Sequence, residues 1–192
     1  IIFTALSSAR EHHKHGAVLW AVVAGLAPGI IVGSLVGPQI ATALPARTMA
    51  AVFAVFMGFT AWRMVRNAQP KPSRSLPAAP GLFGVGAGIG LLSGIVGAGG
   101  AFLSVPFMVR CNVRMHAAVA TSSALGMPIA LAATAGFVIA GMRKSGLPPH
   151  SLGFVYLPAL GAIVVASMLT APLGARLAHA WDVARLKRTF AL

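Results

Sequence analysis

Gly97, Ala98, Gly99 and Gly100 stand together inside "GLLSGIVGAGGAFLSVP", residues 90–106, in a long uncharged stretch of the chain. Each glycine in a helix interior costs about 1 kcal/mol relative to alanine, so "GAGG" argues for a break just before the helical run that begins at Ala101. A broken helix exposes main-chain N–H groups and the positive end of a helix dipole, and glycine lets a ligand approach them closely. The chemistry this permits is the holding of an oxyanion. A second cluster, "ATSSALG", places the hydroxyls of Thr121, Ser122 and Ser123 side by side in the next apolar segment. Such hydroxyls either donate to an anion or return their hydrogen to their own helix. The expectation is that they face the Gly97–Gly100 turn across a site near mid-depth.

Other reactive types are sparse. Glu11 and Asp182 are the only carboxylates among 192 residues, and neither falls inside an apolar segment, so the buried carboxylate relay of cation carriers is missing from this stretch. Ser93, in "LSG", lacks a histidine at comparable depth to serve as its base, which disfavours an intramembrane serine enzyme and leaves no catalytic residue to assign. His12, His13 and His15 lie on a basic stretch beside Glu11 and read as a solvated or headgroup-facing cluster, so no metal site is assigned. Cys111 is the single cysteine and reads as a small buried or interfacial thiol.

The elements that must position these groups are membrane helices. Hydrophobic residues make up 57% of the chain, charged ones 9%, and the formal charge is +13. Nucleic-acid binders gather their cations on a polar face, whereas here they separate long apolar runs, as loops flanking membrane spans do. A span needs about 20 apolar residues. The segments are Gly16 to Ile40, a short one between Arg47 and Arg63, Gly81 to Val109, Ala117 to Met142, and Leu152 to Ala175. "RNAQPKPSRSLPAAP", residues 66–80, is a basic linker that proline keeps from being helical.

Two further patterns bear on architecture. Gly25, Gly29, Gly33 and Gly37 fall four apart on one helix face, the spacing that lets helices pack backbone to backbone in lipid. A shift of 137 residues aligns them with the small residues Ala162, Ala166, Thr170 and Gly174, suggesting two repeats. On that register residues 1–66 are the remainder of a first repeat, 67–80 a cytoplasmic linker, and 81–192 a second repeat cut off in its last span. About 57 further residues are then expected upstream, holding another glycine-rich segment. Lys and Arg divide twelve against three between the two sides if the segment 81–109 enters and leaves on one side, but eight against seven if it crosses. The positive-inside rule favours the first arrangement, with half-helices Gly81 to Val96 and Ala101 to Val109 meeting at "GAGG". A single span kinked at Pro106 is the rival. The fold class is therefore an all-α integral membrane protein, a polytopic bundle of two repeats with a broken or re-entrant glycine-rich helix.

"GLLSGIVGAGGAFLSVPFM" followed by "AVATSSALGMPIA" resembles the second half of the TauE/SafE family, the sulfite-exporter-like or sulfonate-uptake-permease group of bacterial membrane proteins. The resemblance rests on Gly97, Gly99, Gly100 and Ala101, on Phe102, Leu103, Val105 and Pro106, and on Thr121 with Ser122, and it extends over the whole chain. It implies secondary transport of sulfite, sulfonates or related anions across the bacterial inner membrane. The expected partners are a small anion, the lipid bilayer and, in a homo-oligomer, further copies of the chain. No cofactor and no nucleic acid is expected. A non-transporting scaffold that packs through its glycine rows is the alternative reading, and an intramembrane enzyme the weaker one.

Overall fold

A computed structural model of the chain describes residues 17–65, 75–97, 99–142 and 144–180. Ala98, His12, His13, His15, both carboxylates and most of the basic linker lie outside the described residues. Six helices and one small hairpin make up the described fold: α1 (Trp20–Ala43), α2 (Ala46–Val65), α3 (Ala79–Val96), α4 (Ala101–Arg110), α5 (Met115–Met142), β1 (Ser151–Leu152), β2 (Val155–Tyr156) and α6 (Leu157–Ala180). Of the described helices, α1, α3 and α5 are long and apolar enough to cross a membrane. The protein is an all-α membrane protein.

The tightest packing is between α1 and α3. A Cβ added to Gly29 would collide with the Phe83 carbonyl oxygen, one on Gly33 with that of Ala87, and one on Gly37 would stand 2.7 Å from that of Leu91. The relation is mutual, since Cβ atoms on Gly86 and Gly90 would strike the carbonyls of Leu26 and Ile30. Each glycine thus turns a Cα–H toward a carbonyl of the facing helix, a weak hydrogen bond that only close backbones make. The Ser34 hydroxyl adds a bond to the Gly90 carbonyl at 3.3 Å. Gly25 meets Leu82 and Gly37 meets Gly94. Residue numbers rise together on both helices, so α1 and α3 run parallel.

Parallel orientation holds for α5 as well. The Leu19 amide, at the start of α1, donates to Thr121 Oγ1 at 3.0 Å, and Gln39 Nε2, near the end of α1, donates to the Gly136 carbonyl at 3.0 Å. Three helices that all begin at one end of the bundle require intervening chain to return each time. Between α1 and α3 that chain contains α2. Between α3 and α5 it is α4, which runs back along α5: Gly100 lies against Ile129, close to the midpoint of α5, and Ser104 against Ser122. The glycine-rich segment therefore enters and leaves at the same end of the bundle, and its half-helices, Ala79–Val96 and Ala101–Arg110, match the expected bounds within two residues. Pro106 lies inside α4 and does not mark the turn.

Leu26, Ile30, Ile89, Met108, Leu125 and Ile129 form the core between α1, α3, α4 and α5. By contrast α2 and α6 expose large apolar side chains, among them Phe53, Phe59, Trp62, Ile163 and Val165, as lipid-facing helices do. One expectation needs correction: the last segment does not begin its helix at Leu152. Residues 151–156 form an antiparallel ribbon pairing Ser151 with Tyr156 and Leu152 with Val155, and the helix starts at Leu157. Gly153, at φ 58°, makes the turn and lies against Val138, while the Phe154 amide donates to the Phe137 carbonyl at 3.3 Å.

Candidate functional site

The break is built by glycines of different kinds. Gly97 ends α3 in the left-handed region, φ 72° and ψ 11°, with its amide donating to the Ser93 carbonyl at 2.8 Å. Other L-residues pay about 1–2 kcal/mol for that conformation. A Cβ on Gly97 or Gly99 would meet nothing within 4 Å, and both residues are exposed. Gly100, by contrast, is buried: a Cβ there would strike Ile129 Cδ1 and stand 3.3 Å from both Ile89 Cγ2 and Ser93 Oγ. So the turn has an open side at Gly97 and Gly99 and a packed side at Gly100.

At Gly100 the second half-helix begins. Its carbonyl accepts from the amides of Leu103 at 3.1 Å and Ser104 at 2.9 Å. The amides of Ala101 and Phe102 precede this first helical bond and belong to the unsatisfied first turn that every helix carries. The far end of α4 closes firmly. Asn112 takes φ 62° and donates to the Val109 carbonyl, while Val113 donates to that of Met108, the paired bonds of a Schellman motif. Arg110 sits in the last turn, where a cation complements the dipole. The break thus offers the first amides of α4 on its backbone, with the Ser93 hydroxyl and the side chains of Ile89 and Ile129 beside Gly100.

The three adjacent hydroxyls of α5 point three ways, as 100° per residue demands. Ser122 is buried and lies 2.7 Å from Ser104 Oγ, which itself donates to the Gly100 carbonyl at 2.9 Å. A hydroxyl has one hydrogen, so the hydrogen between the two serines comes from Ser122. The resulting chain, Ser122 to Ser104 to Gly100, ties α5 to the start of α4. Thr121, fully buried, faces the start of α1 and accepts from Leu19. Ser123 faces away and donates to the Val119 carbonyl at 3.0 Å. The structure therefore joins Gly100 and Ser122 but leaves Thr121 and Ser123 elsewhere. Gly25, Gly29, Gly33 and Gly37 line the α1 face that meets α3, and so hold the first half-helix rather than the turn.

Ser104 and Ser93 are the residues that sequence reasoning passed over. Ser104 lies four residues after Gly100, the spacing at which a serine bonds back to a carbonyl, and that spacing was a usable signal. The sequence around Ser93 suggests only a nucleophile without a base, yet the residue is 4% exposed and its oxygen stands beside Gly100.

A bundle of apolar helices folded round a glycine-broken half-helix pair defines a helical membrane protein of the broken-helix kind found among transporters. The family model for the sulfite exporter TauE/SafE matches residues 1–192. A Haemophilus influenzae protein described as a probable membrane transporter protein is 31% identical over 194 residues, covering 100% of this chain and 73% of that protein. No solved structure matches the chain. The chain belongs to the TauE/SafE family, a family of membrane transporters.

Proposed function

We propose that the protein is a secondary transporter of small oxyanions of the sulfite or sulfonate class, held at the turn Gly97, Ala98, Gly99 and Gly100. The observation that carries this reading is the broken helix itself: an open glycine turn leading into the first amides of α4. Such donors act more strongly in a low dielectric than in water. In this reading Ser122 serves the site by fixing α4 through Ser104, and Thr121 and Ser123 serve it at a distance, through the helices they bond.

The proposed setting is the bacterial inner membrane, crossed several times, with the basic end of the bundle in the cytoplasm. Two repeats moving against each other would supply alternating access. Support for the repeat comes from α1 and α6, which begin 137 residues apart, the same shift that the sequence suggests. On this register residues 1–66 and 81–192 belong to successive repeats and 67–80 joins them.

Flux of radiolabelled sulfite or methanesulfonate into vesicles holding the full-length protein, with and without a pH gradient, tests the reading. Gly99→Trp places bulk where a Cβ meets nothing within 4 Å, so the variant is expected to insert normally and to lose flux. Undiminished flux removes the turn from the pathway.

A further inference from the structure

Of the buried hydroxyl side chains among the described residues, Ser34, Ser93, Ser104, Thr121 and Ser122, all but one are engaged. Ser34 donates to Gly90, Ser104 to Gly100 and Ser122 to Ser104, and Thr121 accepts from Leu19. Helical hydroxyls ordinarily return their hydrogen to the carbonyl four residues earlier. Thr42, Thr60, Ser123 and Thr170 in this chain do so. Ser93 does not. It is 4% exposed, has no hydrogen-bond partner among the described residues, and stands 3.3 Å from the position a Cβ on Gly100 would take. No fully buried side-chain oxygen among the described residues lacks a partner, so the Ser93 oxygen, which has none, keeps some accessible surface and its hydrogen is within reach of an incoming acceptor.

We propose that Ser93 is the side-chain donor of the anion site, giving its hydroxyl hydrogen to one oxygen of the ligand while main-chain amides at the start of α4 hold another. This rests on the oxyanion reading above and specifies it. The ligand must present at least two acceptor oxygens on one centre, as sulfite and sulfonates do. It also separates two kinds of serine: Ser104 and Ser122 spend their hydrogens on holding α4, whereas Ser93 keeps its own for cargo. Because Gly97 donates to the Ser93 carbonyl, the residue that ends α3 also fixes the backbone from which this hydroxyl projects.

The test is calorimetric titration of sulfite, and separately methanesulfonate, into the full-length protein in lipid nanodiscs. Ser93→Ala is expected to weaken binding about tenfold or more, the scale of one hydrogen bond to a charged group, and Ser93→Cys to fall between Ala and wild type. Thr60→Ala, which removes a hydroxyl bonded within α2, is expected to leave affinity unchanged. In wild-type protein labelled with 13C-serine, sulfite is expected to shift the Ser93 Cβ resonance, a readout that holds even if a variant fails to assemble. Equal affinity in wild type and Ser93→Ala, or an unmoved resonance with sulfite bound, overturns the role of Ser93 and leaves the anion reading standing. Absence of binding by wild type to either anion overturns both.

Discussion

The single hydrogen of Ser104 goes to the Gly100 carbonyl, 2.9 Å away, and that of Ser122 goes to Ser104 at 2.7 Å. Both side chains are nearly or wholly buried, so loss of Ser104 strands the Ser122 hydrogen, whereas loss of Ser122 leaves Ser104 bonded to Gly100. Ser122→Ala is expected to lower stability by about 0.5–1.5 kcal/mol, one hydrogen bond, read as a shift in reversible unfolding in mixed micelles. Adding Ser104→Ala should cost much less than it does alone, because the two hydroxyls act as one unit. Gly97→Ala should cost a further ~1–2 kcal/mol through its left-handed backbone, with no new contact, since a Cβ there meets nothing within 4 Å. The position of the break was legible in "GAGG" because glycine acts through the backbone, which sequence encodes directly. Hydroxyl direction was not. Which way Thr121, Ser122 and Ser123 face depends on the rotation of α5 about its axis, and that is set by packing against α1 and α4 rather than by the three residues themselves.

Elements obey the same division. Periodic glycine marks α1 as a close-packing helix, and α1 and α3 do meet there, but the partner row of Gly86, Gly90 and Gly94 on α3 is hidden in the sequence by the interleaved Gly84 and Gly88. The two classes of glycine on α3 should respond oppositely to alanine. At Gly90 a Cβ would strike the Ile30 carbonyl, and the cost of such overpacking is about 1–3 kcal/mol. At Gly88 a Cβ meets nothing within 4 Å, so alanine should gain about 1 kcal/mol from helix propensity. Thermal unfolding of the two variants against wild type checks the difference in sign. The ribbon at 151–156 is not legible in "SLGFVYL", which is almost wholly apolar, because a short apolar run does not distinguish strand from helix by periodicity. Its left-handed Gly153 and its bond to Phe137 decide the matter.

For the molecule as a whole, direction of travel is the informative quantity. With α1, α3 and α5 parallel, the starts of all three and the end of α4 share one end of the bundle, and that end gathers Arg110 and Arg114. Lys144, just past the end of α5, lies at the other. Charge counting reached this arrangement without coordinates because each return of the chain transfers whole loops between sides. Single cysteines at Arg110 and Lys144, in a Cys111→Ser background, are therefore expected to react with a membrane-impermeant reagent from opposite faces of oriented vesicles. Reaction of both from one face contradicts the hairpin path of α3 and α4. The interlocked backbones of α1 and α3 carry a kinematic consequence. Two rods meshed carbonyl to Cα–H, with Ser34 pinned to Gly90, have no slack for sliding or rolling, so any transport stroke must swing them as one plank and find its hinge elsewhere.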